Sequence, residues 1–116
     1  MDYLFAALKL DSTRAEPFVR LGLHHYERRE WQRAAPYFLA ATALRRPIDG
    51  FVDETAYSWA PWDYLSICHS ELGMYRDALD ETVRALSTSH DRERLFRNMQ
   101  FYLDQLRADG ESDASP

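Results

Sequence analysis

The feature that most constrains the fold is an internal repeat. Residues 21–41 (LGLHHYERREWQRAAPYFLAA) and residues 65–85 (LSICHSELGMYRDALDETVRA) align at an offset of 44, from residue 21 to residue 65. Similar residues then fall at the same positions: Pro17 and Pro61, Phe18 and Trp62, Leu21 and Leu65, His25 and His69, Trp31 and Tyr75, Ala34 and Ala78, Ala41 and Ala85. A fixed period of this kind is typical of folds that stack one supersecondary unit on the next.

Each repeat has the residue spacing of α-helices. Ala34, Phe38 and Ala41 follow one another at steps of four and three residues, which is the period of one helical face. No stretch sustains the alternation of apolar and polar residues that a half-buried strand would show. Pro17 lies where a first helical turn tolerates proline, and Gly73 lies where a helix commonly ends. The sequence therefore predicts an all-α fold.

Composition and charge narrow the class of protein. The chain has 116 residues, 46% of them hydrophobic, which is enough for one domain with its own core. A net charge of −5 disfavours a nucleic-acid partner, because such binders usually carry a basic face. The single cysteine, Cys68, allows no internal disulfide, and no apolar run reaches the roughly 18 residues of a membrane span. With no signal-peptide pattern, we expect a soluble cytoplasmic protein without a membrane partner.

The repeat resembles the tetratricopeptide repeat (TPR), whose pattern is W-x2-L-G-x2-Y followed by Ala, Phe and Ala. The matching residues of the first unit are Phe18, Leu21, Gly22, His25, Ala34, Phe38 and Ala41. Those of the second unit are Trp62, Leu65, Ser66, His69, Gly73, Tyr75, Ala78, Thr82 and Ala85, with Ser66, Thr82 and the two histidines departing from the pattern. The resemblance implies antiparallel helical hairpins that stack in a short right-handed solenoid, with small residues allowing close approach and large residues filling the space between units.

The resemblance also implies a division of the chain. A TPR-like domain at residues 1–107 would contain a partial unit at 1–12, a full unit at 15–45, an insertion at 46–58, a second full unit at 59–90 and a closing helix at 92–107. Phe96, Met99 and Leu103 are the expected core positions of the closing helix. Residues 108–116 are small and acidic, and we expect them to form a disordered tail.

In TPR proteins the first helix of each unit lines a concave groove that binds a protein or peptide. Carried over position by position, the lining here is Glu16, Val19, Leu23, Tyr26, Glu27, Asp63, Ile67, Ser70, Glu71, Arg94, Arg97 and Phe101. This mixture favours an extended peptide or an adjacent domain, since the Lys and Asn of a C-terminal carboxylate clamp are replaced by other residues. The apolar N-terminal segment, with Tyr3, Leu4 and Leu8, offers a second contact, to another domain or to a second copy of the chain.

A narrower resemblance concerns the insertion and the closing helix. The segments RAEPFVRLGLHHY, FVDETAYSW, DYLSICHSELGMYRDAL and ERLFRNMQFY are together similar to the repeat segment that follows the catalytic domain in some bacterial family-2 glycosyltransferases. This resemblance implies a non-catalytic segment of a sugar-transferring enzyme, because the chain has no Asp-x-Asp motif of its own. The alternative is a free-standing adaptor that binds a peptide in its groove.

Several residues have the chemistry of a reactive site. His24, His25, Cys68 and His69 are residue types that bind zinc, and Cys68 or Ser66 beside His69 pairs a nucleophile with a base. These residues nevertheless occupy the helix-packing positions of the repeat, and neighbours along a helix point in different directions. We therefore expect packing roles, with no metal, cofactor or catalytic site.

Two further features have alternative interpretations. The arginines at 28, 29, 33, 45 and 46 are interrupted by acidic residues, which favours a solvated surface over an anion-binding site. Phe51, Tyr57 and Trp59 make the insertion rich in aromatic residues. We expect them to fold back over the junction between units, and contact with a partner is the alternative.

Overall fold

The computed structural model describes residues 13–48 and 50–114, with side chains described as far as residue 110. These ranges contain five α-helices, one 3-10 helix and no strand. The α-helices are α1 (Ala15–Glu27), α2 (Trp31–Thr42), α3 (Trp59–Glu71), α4 (Tyr75–Leu86) and α5 (Arg92–Ala114), and the 3-10 helix is Glu54–Tyr57. The predicted all-α class is therefore confirmed for the described part of the chain, while the predicted partial unit at 1–12 lies outside it.

The two central helix pairs have matching boundaries. α1 and α3 begin at residues 15 and 59, and α2 and α4 begin at residues 31 and 75, so both pairs of starts keep the offset of 44. The turns match as well, because Arg29 and Gly73 both have positive φ, at 58° and 78°. In each turn the next backbone N–H returns to a histidine carbonyl, from Glu30 to His25 at 2.9 Å and from Met74 to His69 at 2.7 Å. Both first helices thus end in the same Schellman motif.

The first helix pair packs through a contact between a very small and a large residue. Phe38 of α2 is fully buried and lies against Gly22 of α1, where an added Cβ would come within 2.6 Å of the ring. At one end of the pair Tyr26 contacts Trp31, and at the other Ala15 and Ala41 share a buried cluster. The start of α2 lies beside the end of α1, and the end of α2 lies beside the start of α1. The two helices are therefore antiparallel.

The second helix pair replaces that contact with two hydroxyl-bearing residues of similar size. Ser66 and Thr82 stand at the positions of Gly22 and Phe38, and both are fully buried. Their hydroxyls donate to helix carbonyls, those of Asp63 at 2.7 Å and Ala78 at 2.8 Å. Tyr102 of α5 is also buried, and its hydroxyl interacts with both side chains, which oppose the rise in its pKa that burial causes. The closing helix therefore completes the core of the second pair.

Helices that are neighbours in sequence pack against each other along the whole described chain. α3 is central, since it contacts α2 and α4 directly and also touches α1. The core between the pairs consists of Ala34, Ala35, Phe38, Leu65 and Cys68. A second cluster, of Ala85, Leu86 and Leu95, joins α4 to α5.

The buried face of α5 differs from the predicted one. Leu95 and Tyr102 are buried and Met99 packs beside them, whereas Phe96 and Leu103 are exposed. Of the three predicted core positions only Met99 is therefore in the core. Both sets of residues follow a helical spacing, and in the observed one the Tyr102 hydroxyl interacts with polar side chains of α3 and α4. The helix also continues to Ala114, beyond the predicted end at residue 107.

The insertion folds back in part. Tyr57 packs against the cluster of Ala15, Ala41 and Ala56, and Trp59 packs against the cluster between α4 and α5. Tyr57 covers the junction between units as predicted, whereas Trp59 is the first residue of α3 and packs where α4 meets α5. Phe51 does not fold back, because 92% of its surface is exposed. Its backbone carbonyl is instead held by a hydrogen bond from Arg14.

Candidate functional site

Aromatic residues join α1 to α3 on one side of the molecule. The Tyr26 ring meets the Tyr64 ring edge-on at 5.1 Å, and Tyr64 stacks on Phe38 at 5.3 Å. Burial raises the pKa of Tyr26 to about 12, so its hydroxyl is neutral at physiological pH. Tyr26, a predicted groove residue, is therefore a half-buried contact between two helices.

An ion pair joins α3 to α5 on the same side. Arg94 donates hydrogen bonds to both carboxylate oxygens of Asp63, with Nη1 3.3 Å from Oδ1, and its Nε donates to Asp91 at 2.7 Å. The Asp63 side chain is 4% exposed and that of Arg94 is 33% exposed. The hydrogen bonds from Arg94 to Asp63 raise the pKa of Arg94 above its ordinary value. Asp63 and Arg94, both predicted to line the groove, therefore pair their charges with each other.

The remaining predicted groove residues divide into two groups. Val19 is half-buried and packs on the core, and Ser70 is partly buried, where its side chain lowers the pKa of Tyr102. The residues that remain accessible, fully or in part, are Leu23, Glu27, Ile67, Glu71, Arg97 and Phe101. We call these six accessible residues of α1, α3 and α5 the odd-helix face; the Phe101 ring also lies edge-on to Tyr75 of α4, with ring centres 5.9 Å apart.

Two acidic residues of the odd-helix face stand at equivalent positions of α1 and α3. Glu27 and Glu71 occupy equivalent positions of the two repeats, and both are exposed. Within the described ranges neither carboxylate forms an ion pair. Each lies one helical turn beyond an apolar residue, Leu23 or Ile67. The face therefore combines apolar side chains with free carboxylates.

Glu16, also predicted to line the groove, lies at the insertion instead. Its carboxylate accepts hydrogen bonds from Arg14 at 2.9 Å, from the Tyr57 hydroxyl at 2.6 Å and from the Asp53 backbone at 3.1 Å. Burial alone would raise the pKa of Glu16, but these hydrogen bonds outweigh it and lower the pKa to about 2. Glu16 therefore ties α1 to the insertion.

The replacement Glu16→Gln should make the protein less stable at neutral pH and less sensitive to acid. A carboxylate with a depressed folded-state pKa stabilises the fold above its unfolded value, near 4.5, and loses that contribution as the pH falls toward about 2. We expect a loss of about 2 kcal/mol at pH 7 that shrinks across this interval. Urea unfolding at a series of pH values measures it. Glu54→Gln, which removes an exposed carboxylate paired with Arg46, should have a much smaller effect, and equal effects would contradict this role.

His25, His69 and Cys68 pack between helices, whereas His24, also expected to pack, is exposed and hydrogen-bonds with Arg28. His25 stacks on Tyr37 at 5.6 Å and bonds to Glu30 at 3.1 Å, while His69 lies 2.7 Å from Glu81. Cys68 is fully buried, and burial raises the pKa of its thiol to about 12, which disfavours the nucleophilic thiolate. The described residues contain no group of three metal-binding side chains.

Sequence reasoning missed three residues that join helices: Tyr64, Glu81 and Tyr102. The burial of Glu81 could have been predicted from its spacing. It lies three residues after Ala78 and four before Ala85, so it belongs to the buried face of α4. The equivalent residue of the first repeat, 44 positions earlier, is Tyr37. Tyr37 contacts His25, and Glu81 contacts His69. Burial raises the pKa of Glu81, and the hydrogen bond with His69 opposes that shift. An acidic residue on an apolar face was the available signal.

The arginines are mostly engaged with nearby groups. Arg28 donates to the His24 carbonyl at 2.9 Å, Arg33 pairs with Glu30 at 3.2 Å, and Arg46 pairs with Glu54 at 2.6 Å. Arg29 and Arg45 are exposed. These contacts agree with the predicted solvated surface.

Two findings bear on the class of protein. In the part of the chain that the structure describes, no helix has the length and apolarity needed to cross a membrane. Comparisons with protein families, with curated proteins and with solved structures gave no match.

Proposed function

We propose that this chain is a TPR-like protein-binding module that holds an extended peptide or a neighbouring domain on its odd-helix face. The observation that carries the proposal is that each of the three odd-numbered helices has a partly exposed apolar residue: Leu23 on α1, Ile67 on α3 and Phe101 on α5. Glu27 and Glu71, which form no ion pair within the described ranges, lie one helical turn after Leu23 and Ile67. Apolar contacts would supply affinity, and the carboxylates would select a basic partner.

Four features support the TPR-like arrangement within this proposal. The helix pairs share boundaries, both turns carry the same Schellman motif, and neighbouring helices pack in sequence order. The Gly22–Phe38 contact matches the pairing of small with large residues in such repeats. A right-handed solenoid would place α1, α3 and α5 on the concave side.

The state of the buried polar groups favours binding over catalysis in this chain. Asp63 is paired with Arg94, Glu81 with His69, and the Cys68 thiol has a raised pKa. A reactive site usually keeps such groups poised toward a cleft, where a substrate can reach them. The binding role would suit either a free-standing bacterial adaptor or the repeat segment of a glycosyltransferase, and the reading frame upstream of Met1 distinguishes these two.

A peptide titration tests the proposed face. Packed helices lie about 8–10 Å apart, and an extended chain advances about 3.3 Å per residue, so every third peptide residue would meet a helix. We expect a fluorescein-labelled peptide of repeated Leu-Lys-Thr to bind roughly tenfold more tightly than its Leu-Glu-Thr counterpart. Fluorescence anisotropy measures both affinities.

Charge reversal supplies the decisive control. The double replacement Glu27→Lys and Glu71→Lys should invert the preference, because both side chains are exposed and their charge would change sign. Leu39→Asp, at an exposed position on α2, should leave binding unchanged. Equal affinity for both peptides, or a preference that survives the double replacement, would contradict the proposal.

A further inference from the structure

One side of α5 carries a stripe of exposed residues that the odd-helix face does not include. Its members, spaced alternately by three and four residues, are Glu93, Phe96, Gln100, Leu103 and Arg107. This spacing keeps all five on one side of the helix. Phe96 is 51% exposed and Leu103 41% exposed, although the adjacent Leu95 and Tyr102 are buried. We call this set the α5 stripe.

The α5 stripe is separate from the contacts that hold α5 in place. Arg94 turns toward Asp63 on α3, and Leu95 packs with Leu86 on α4. Arg92 covers one side of the Phe96 ring, with its guanidinium 5.5 Å from the ring centre. Among the residues that the structure describes, the ion-pair partner of Glu93 is Arg97, at a long distance of 3.7 Å. The stripe is thus accessible to a second molecule.

We propose that the α5 stripe pairs with the α5 stripe of a second copy of this chain, with the two helices antiparallel and a two-fold axis near Gln100. Reversal about Gln100 places Phe96 next to Leu103 of the second copy. It also places Glu93 opposite Arg107 of the second copy, and each contact occurs twice. The proposal is independent of the peptide-binding role.

The α5 stripe is complementary to its own reverse, which favours a second copy of this chain as its binding partner. A two-fold interface uses the same patch on both molecules, so the patch must complement its own reverse. The stripe meets this condition because one end is acidic, the other end is basic and the apolar residues lie between. A parallel pair would instead oppose Glu93 to Glu93 and Arg107 to Arg107. The alternating spacing is also that of a helix-pairing seam.

The size of the stripe predicts a weak dimer. From residue 93 to residue 107 it spans about 21 Å at about 1.5 Å per residue. Two apolar side chains per molecule bury less than the ~1,200 Å² of a standard stable interface. The dimer should therefore form at high micromolar to millimolar concentration, in exchange with the monomer.

Sedimentation velocity across this concentration range tests the dimer. The weight-average mass should rise from 13.6 kDa toward twice that value. Phe96→Glu should keep the protein monomeric, while Val83→Glu, at a similarly exposed position on α4, should change nothing. Circular dichroism of both variants verifies that helicity is retained.

Paired charge reversals identify the orientation. Glu93→Arg or Arg107→Glu alone should weaken association at least several-fold, and the two together should restore it, because the opposed charges are exchanged. A chain that stays monomeric at millimolar concentration overturns the proposal. So does association that survives Phe96→Glu, or single reversals that the double variant does not rescue. Association that survives Phe96→Glu but is lost in Leu8→Glu would place the contact at the N-terminal segment instead.

Discussion

Replacing Phe38 with alanine should lower the free energy of unfolding by about 3–5 kcal/mol, the range for removing a fully buried phenylalanine. Phe38 is completely buried, contacts Gly22 and stacks on Tyr64, so its loss opens a cavity shared by α1, α2 and α3. Urea unfolding monitored by circular dichroism measures the change. Leu39→Ala is the matched control, since this adjacent residue is exposed and should cost far less.

The contact between Phe38 and Gly22 allows a sharper form of this test. Gly22→Ala should cost about 1–3 kcal/mol in the natural sequence, because the added methyl group overlaps the Phe38 ring. In the Phe38→Ala background the same change should cost little, since the ring is gone. Additive effects of the two substitutions would show that these residues do not touch, and would contradict the packing of the first helix pair.

The second large effect is expected at the ion pair between α3 and α5. Arg94→Met should cost about 3 kcal/mol, because it leaves the buried Asp63 carboxylate without its partner. This estimate takes the low end of the usual range, since Arg94 is partly exposed and water screens the pair. Asp63→Asn should cost less, because Arg94 keeps Asp91 and its contact with water.

Chemical denaturation of the two variants measures this asymmetry. Arg97→Met removes an exposed arginine of the same helix and should change stability little. If Asp63→Asn proved more costly than Arg94→Met, the carboxylate would not be the buried partner. The attachment of α5 to α3 would then depend on other contacts.

The helix pairs keep the offset of the repeat because their boundaries depend on local features. The residues at 15 and 59 begin first helices, and the positive-φ turn positions at 29 and 73 end them. The face of α5 was not predictable in the same way. Phe96, Met99 and Leu103 fit a helical stripe as well as Leu95, Met99 and Tyr102 do, so periodicity alone cannot choose between them.

The candidate site was only partly predictable, because several of its residues depend on partners distant in sequence. Glu16 and Asp63 were expected to be accessible, yet Tyr57 and Arg94, each more than thirty positions away, engage them. Leu23, Glu27, Ile67 and Glu71 needed no such partner, and they are at least partly accessible. The repeat predicts where a residue lies on its helix. Whether its charge has a partner depends on residues that only the tertiary fold brings close.

Proton–proton contacts between aromatic rings, measured by nuclear Overhauser spectroscopy, test the central claim most directly: that the first helices of successive pairs lie side by side. Tyr26 and Trp31, 5.2 Å apart within the first pair, provide the internal control. The structure predicts an equally clear signal between Tyr26 and Tyr64, whose rings are 5.1 Å apart across the two pairs. A Tyr26–Trp31 signal without a Tyr26–Tyr64 signal would show that the pairs form but do not share a face, and would contradict the account.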